Sequence, residues 1–293
     1  MSALPSPLTS TLVPALATAA VALLLSACGQ LTAAELAQAE PTAVTPRATA
    51  PDATIPADPD AATTSETPGL DRPEVKIVSA VPHDPDRRTA GLEFLDGVLL
   101  ESTRIPGDRA AVDPATGAII SAVLIPDGEG LGLTVWQNLV FQITSASLAV
   151  LADSVTLERL DTIPTTSEFM AICAFGEELA VTDGGNTLRF LDPMSFTEVR
   201  SVQLADPSLG LIEPECVDGI VWATTTETNR LVAVDPATGA VLQTVDVSSV
   251  VPADAPVDSP VGGIAYRAET GTFFLTGGGW TRIVEVTLPP ITE

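Results

Sequence analysis

The chain has 293 residues, 45% of them hydrophobic, which excludes a wholly disordered protein and leaves room for one domain of middling size or two small ones. Against 38 acidic residues stand 13 basic ones, a formal net charge of −25, so the surface repels a phosphate backbone and no nucleic-acid partner is expected. Lys76 is the only lysine and His83 the only histidine, so a Schiff-base lysine, a Ser-His-Asp triad or a multi-histidine metal site would each rest on a single residue.

In chain order, the first element is apolar and uncharged from Leu12 to Ala27, ending Leu25-Ser26-Ala27-Cys28 before Gly29. This is a small-residue cleavage site with cysteine just after the cut, on a run too short to span a bilayer comfortably. It resembles the lipobox of bacterial lipoproteins, which implies a signal peptide over 1–27, lipidation of Cys28, and an exported protein held at the membrane or cell envelope by its lipid alone. The departure from that pattern is the missing basic region, since no Lys or Arg occurs before Arg47.

Residues 28–74 read as a disordered Pro/Ala/Thr-rich tether. Seven prolines (41, 46, 51, 56, 59, 68 and 73) fall among Ala, Thr, Asp and Glu, and no apolar period survives. A flexible coil of this length holds its ends about 35–40 Å apart. A short helix over 32–39 is compatible with the composition.

Residues 75–293 read as β throughout. Alternating or β-branched runs surround turn signals: Leu92–Thr103 around Asp96-Gly97, Leu133–Thr144 around Gln137-Asn138, Cys216–Thr226 around Asp218-Gly219, and Ile264–Thr276 around Thr270-Gly271. A repeat runs through them. Val112-Asp113-Pro114-Ala115-Thr116-Gly117 recurs as Val234-Asp235-Pro236-Ala237-Thr238-Gly239, with relaxed copies at Leu191–Phe196 and Ala152–Thr156. The aspartates at 113, 153, 192 and 235 are spaced by about 40 residues, the period of a β-propeller blade. At about 42 residues per blade the domain holds five. A sixth blade and a pair of β-sandwiches are the alternatives. The Asp-Pro-x-Thr-Gly element is expected in the hairpin between the outer strands of a blade, where Asp accepts backbone hydrogen bonds and Gly supplies a positive φ.

The order of motifs carries more. Val81-Pro82-His83-Asp84-Pro85, Thr89–Phe94, Leu100–Thr103, Val112–Gly117, Gly128-Glu129-Gly130-Leu131, Phe141–Thr144, Thr182-Asp183-Gly184, Leu188–Pro193, Cys216–Gly219, Asn229-Arg230-Leu231, Gly263-Ile264-Ala265 and Phe274–Gly277 with Trp280 follow in one sequence. Over nearly all of 75–293 this resembles the plant-type and bacterial glutaminyl cyclases, secreted five-bladed propellers. The resemblance implies cyclisation of an N-terminal glutamine to pyroglutamate with ammonia release. The substrate is then a peptide or protein N-terminus, the protein a monomer, and no cofactor is used. It places the proton shuttle at Glu129 and the substrate pocket at Asp127, Met170 and Thr226; Trp280, beside Gly277–Gly279, is the tryptophan best placed for the pocket mouth, because glycines let a ligand approach the backbone.

Several positions depart from the family pattern. Where the family has Phe-Thr-Gln-Gly-Leu, this chain has Arg88-Thr89-Ala90-Gly91-Leu92; Asp127 replaces a phenylalanine, Met170 and Thr226 tryptophans, Ile212 an asparagine and Gly278 a lysine. Losing one oxyanion donor costs about 10²–10³ in rate. The alternative expectation is therefore a non-catalytic, lipid-anchored propeller that binds or scaffolds envelope proteins. No metal site is expected, because His83 lacks a second histidine and only Cys173 and Cys216 remain beside Cys28. Those two cysteines fall on strands about one blade apart, and separate buried thiols are favoured over a disulfide. Asp183-Gly184-Gly185-Asn186 reads as a hairpin turn rather than a calcium loop, and Trp136, Trp222 and Trp280 as blade packing rather than a stacking platform.

Overall fold

The computed structural model describes residues 74–126, 128–226, 229–257 and 259–291. The proposed signal peptide, the lipidation site Cys28, the tether up to residue 73 and Asp127 lie outside the described residues. The described part is a five-bladed β-propeller of antiparallel four-stranded sheets.

Blade 1 consists of β2 (Thr89–Leu95), β3 (Val98–Thr103), β4 (Asp108–Val112) and β5 (Ile119–Leu124), from the channel outward. Blade 2 is β6 (Gly130–Trp136), β7 (Leu139–Thr144), β8 (Leu148–Asp153) and β9 (Arg159–Pro164), and blade 3 is β10 (Ala171–Phe175), β11 (Glu178–Thr182), β12 (Thr187–Leu191) and β13 (Glu198–Gln203). Blade 4 is β14 (Leu211–Val217), β15 (Ile220–Thr225), β16 (Arg230–Val234) and β17 (Val241–Asp246). Blade 5 takes β18 (Val261–Arg267), β19 (Thr272–Gly277) and β20 (Arg282–Thr287) from the end of the chain and its outer strand, β1 (Lys76–Pro82), from the beginning. The pairing of Lys76 with Thr287 through Pro82 with Arg282 closes the ring.

That closure explains the count of repeats. A hairpin between third and fourth strands exists only in blades 1 to 4, so five blades carry four Asp turns. In each, the aspartate accepts the amide two residues on, from Ala115, Val155, Met194 and Ala237. The residue four places after the aspartate has positive φ in all four: Gly117 and Gly239 at 74°, but Leu157 at 60° and Phe196 at 55°. The two relaxed copies thus hold bulky residues in the left-handed region, and both side chains are buried in the apolar layers beside them. The glycines have no such choice. A Cβ on Gly117 would stand 2.0 Å from the Pro82 carbonyl of the closing strand, and one on Gly239 2.0 Å from that of Gln203.

The core is a series of layers between neighbouring blades. Leu100, Leu133 and Val140 pack blades 1 and 2; Phe141, Ile143, Ile172 and Leu179 pack blades 2 and 3. Phe190, Leu188, Val221 and Val232 join blades 3 and 4, Trp222, Leu231, Ile264 and Phe273 blades 4 and 5, and Leu92, Leu99 and Phe274 close blade 5 on blade 1. A single blade would expose both faces, so the stability is collective. Polar joints cross the same layers. Glu93 accepts from Thr134 Oγ1 and the Val135 amide, Thr134 Oγ1 from the Ala174 amide, and Glu215 from the Tyr266 amide.

Cys173 on β10 and Cys216 on β14 form a disulfide, which corrects the expectation of separate thiols. The two positions lie on adjacent inner strands one residue out of step, two pairs before the β10–β11 hairpin and one pair before the β14–β15 hairpin, with their Cα atoms 5.6 Å apart, so the bond ties blade 3 to blade 4. Asp183–Asn186 is the β11–β12 connection, with the Asp183 carboxylate accepting from the Gly185 amide.

Candidate functional site

Inner strands start the blades, and four of the five carry one extra residue against their partner near that start. The register shifts between Thr89 and Gly91 in β2, Gly130 and Leu133 in β6, Leu211 and Pro214 in β14, and Val261 and Gly263 in β18; only β10 pairs without interruption. Such bulges re-aim side chains and end regular pairing. Here they open a cavity of about 470 Å³, lined by the bulged residues Ala90, Ile212, Glu213 and Gly262.

The rim comes from loops. Arg88 and Arg104 lie side by side because the Arg104 amide donates to the Arg88 carbonyl and the Arg88 amide to the Ile105 carbonyl. Glu129, between Gly128 (φ 103°) and Gly130, is pinned by two bonds to Ser145, its amide to Oγ and its carbonyl from the amide. Gly130 is forced, since a Cβ there would meet Ser102 Oγ, Gln142 Nε2 and the Thr103 carbonyl within 2.8 Å. The Glu129 carboxylate stands 3.7 Å from Arg104, both half exposed, an ion pair that water weakens.

Beneath the rim the charge is buried. Glu213, 1% exposed, belongs to the cavity wall, and its Oε1 has no hydrogen-bond partner. Burial pushes its carboxyl well above the usual carboxylate range; nearby Glu93 adds to the rise and Arg104 opposes it. Glu93 is raised to about 7, mainly by burial against three hydrogen bonds that lower it, and Glu215 is raised in the same direction by burial and by Glu93.

A second buried cluster stands behind the Arg88–Ala90 segment. The Arg87 guanidinium bridges Glu101 (2.7 Å) and both oxygens of Asp108 (2.8 and 3.0 Å). His83 Nδ1 donates to the Trp280 carbonyl, and Nε2 lies 2.9 Å from Glu101 Oε1. Burial would lower the His83 pKa, but the hydrogen bond and charge of Glu101 outweigh it and hold the ring above its ordinary value. Burial would raise Glu101, and His83 with Arg87 keeps it low. His83 is thus part of a structural ion network.

Of the residues singled out in sequence, Glu129 and Met170 line the cavity. Thr226 does not: it is exposed in the β15–β16 connection, against Gly210. Trp280 is not at the mouth either, because its indole is wholly buried, with Nε1 donating to the Ser259 carbonyl. Ser259 and Gly278, which flank it, reach the cavity instead.

Residues 52–288 match the glutamine cyclotransferase family. The chain belongs to that family. It is 26% identical over 230 residues to the glutaminyl-peptide cyclotransferase of Arabidopsis thaliana, covering 73% of this chain and 71% of the plant protein. The crystal structure of the Myxococcus xanthus glutaminyl cyclase superposes with a TM-score of 0.69 at 25% identity, over 75% of this chain and 98% of the bacterial one. Arg88, Ala90, Met170, Ile212 and Gly278, each a position at which the sequence departs from the pattern the resemblance implies, all line the cavity.

Sequence reasoning missed Glu213 and Arg104. The signal for Glu213 is a carboxylate before proline inside Leu211–Val217, a run otherwise suited to burial.

Proposed function

We propose that this protein cyclises the N-terminal glutamine of a peptide or protein to pyroglutamate. The observation that carries the reading is Glu129, the residue at the family's proton-shuttle position, on the wall of a cavity closed by a buried acid and rimmed by two arginines. In the reaction the α-amine attacks the side-chain carboxamide carbon, the ring C–N bond forms, and the carbonyl oxygen takes on negative charge. Glu129 accepts the proton that the amine gives up and passes it to the departing nitrogen, so that ammonia leaves as the amide bond breaks. The arginines and the buried acid supply donors near the developing charge.

The test follows ammonia release and the loss of one ammonia in mass from glutamine-headed peptides, above the spontaneous rate. Glu129→Gln is expected to lower turnover by about 10²–10⁴, and equal rates for both proteins would refute the assignment. The replaced lining residues favour a second reading, a propeller that binds peptide N-termini without turning them over. Calorimetric binding with no turnover above the spontaneous rate would select it.

We further propose that Cys28 carries a lipid and that 28–74 tethers the propeller to the membrane. Metabolic labelling with a fatty acid should mark the chain and be abolished by Cys28→Ala.

A further inference from the structure

We propose that Glu213 is a second catalytic residue of this site, its carboxyl group donating a hydrogen bond to the carboxamide oxygen of the substrate as that oxygen becomes an oxyanion. The inference rests on the cyclotransferase reading and deepens it.

Three observations place the group. The Ile212–Glu213 peptide is held from two sides: Thr182 Oγ1 of blade 3 donates to the Ile212 carbonyl, and the Glu213 amide donates to Thr224 Oγ1 at 3.0 Å. The extra residue of β14 falls at this point, which turns Glu213 out of the regular pairing. Its Oε1 then lies against β2 at Gly91, where a Cβ would come within 2.9 Å of it, so the glycine makes room for the carboxyl. The side chain is fixed, buried and part of the cavity wall, yet Oε1 satisfies nothing in the protein. A buried acid with an oxygen left unpaired is costly, and its retention in the cavity wall points to a role of the carboxyl toward what occupies the cavity.

The surroundings decide which form the carboxyl takes. It faces Glu93 from β2, Arg104 from the β3–β4 connection and Glu215 on its own strand, and shares the cavity with Glu129 and Arg88. Burial and Glu93 outweigh Arg104, so the group keeps its proton well above the usual carboxylate range and is a donor. A neutral acid at an oxyanion stabilises charge without transferring its proton. The amine's proton still travels by Glu129 to the leaving nitrogen, and Glu213 ends each cycle as it began.

The experiment compares Glu213→Leu with Glu213→Gln on glutamine-headed peptides. Leucine, which cannot donate, should lower kcat by about 10²–10³ with KM little changed. Glutamine still donates and should stay within about ten-fold of the parent. It should also lose the alkaline fall in kcat that deprotonation of Glu213 gives the parent. A merely structural role predicts a lower melting temperature for leucine; removal of an unpaired buried acid predicts none. Leucine turning over like the parent, or glutamine as slow as leucine, would overturn the proposal. An infrared measurement separates this from the cyclotransferase reading. The carboxyl band that Glu213→Gln removes should shift when a glutamine-headed peptide binds. A shift without turnover would leave the donor role standing while the activity fails, and a band that stays put on peptide binding would overturn the donor role whatever the activity.

Discussion

Raising the pH should loosen this propeller, and Glu93 offers the cleanest measure. Its carboxyl goes from 4.5 unfolded to about 7 folded, so between those values the native state binds more protons than the unfolded one. Stability is then fully present below pH 4.5 and is lost as the pH rises to about 7. At about 1.4 kcal/mol per unit the ceiling is about 3 kcal/mol, and because the side chain keeps some contact with solvent the loss should be nearer 2 kcal/mol. Glu93→Gln removes this contribution together with the part of the Glu213 and Glu215 rise that the Glu93 charge supplies, because an amide oxygen still accepts from Thr134 and Val135 but does not titrate. Urea unfolding at intervals from pH 5 to pH 8 should show the parent losing about 2 kcal/mol more than the variant. Glu213, Glu215 and His83 also hold their protons more tightly in the fold, so the variant keeps a residual slope of the same sign. Parallel curves would refute the reasoning, for they would mean that Glu93 is as readily ionised in the fold as out of it.

Gly117→Ala should destabilise by more than about 3 kcal/mol, since it combines a left-handed backbone with a collision on the closing strand; Gly97→Ala, also at positive φ but with nothing within 4 Å, should cost only about 1 kcal/mol in the same thermal melts. Opening the disulfide by Cys173→Ala and Cys216→Ala together should cost about 2–4 kcal/mol, as expected for a cross-link spanning 43 residues, and a melting temperature unmoved by reductant would contradict it. Arg87→Met leaves Asp108 buried without its cation and Glu101 with His83 alone, and should lower stability by about 3–5 kcal/mol in urea unfolding at neutral pH.

The strands and their turns were legible because alternation and turn chemistry act locally. Asp96-Gly97 and Asp218-Gly219 adopt the positive φ angles that their residue types favour. The blade period was legible because each Asp turn makes the same side-chain bonds. Closure by β1 was not, since its partner lies at the far end of the chain and nothing in Lys76–Pro82 names it. The bulges were equally silent: they depend on how inner strands crowd around the channel, and they decide which side chains line the cavity. Trp280 shows the consequence. Its glycine neighbours suggested an opening, but the indole fills the space behind Gly277, and Ser259 and Gly278 line the cavity in its place. The disulfide was half legible, because the cysteines stood one blade apart; that they meet across adjacent inner strands while one residue out of step needs the three-dimensional register.

The cavity's composition looks like a loss of function only if positions are compared one at a time. Gly278 stands where the family resemblance expects a lysine, but the Arg88 side chain crosses this turn: its Cδ lies 3.3 Å from where a Gly278 Cβ would be, and its Nη1 3.6 Å from that of Gly279. A cation is thus present beside the late turn, delivered from the segment just before β2 by the residue that stands where the resemblance expects an aromatic. If it does the lysine's work, Arg88→Ala should lower kcat/KM by about ten-fold or more, and adding Gly278→Lys to that variant should recover most of the loss. The backbone allows the exchange, because the three atoms nearest to a Gly278 Cβ all belong to Arg88, the first of them its flexible side chain at 3.3 Å, and Gly278 has no positive φ. A double variant no faster than Arg88→Ala would show that the two positions are not equivalent. The arginine would then belong to a pocket remade for another occupant, as the binding reading requires.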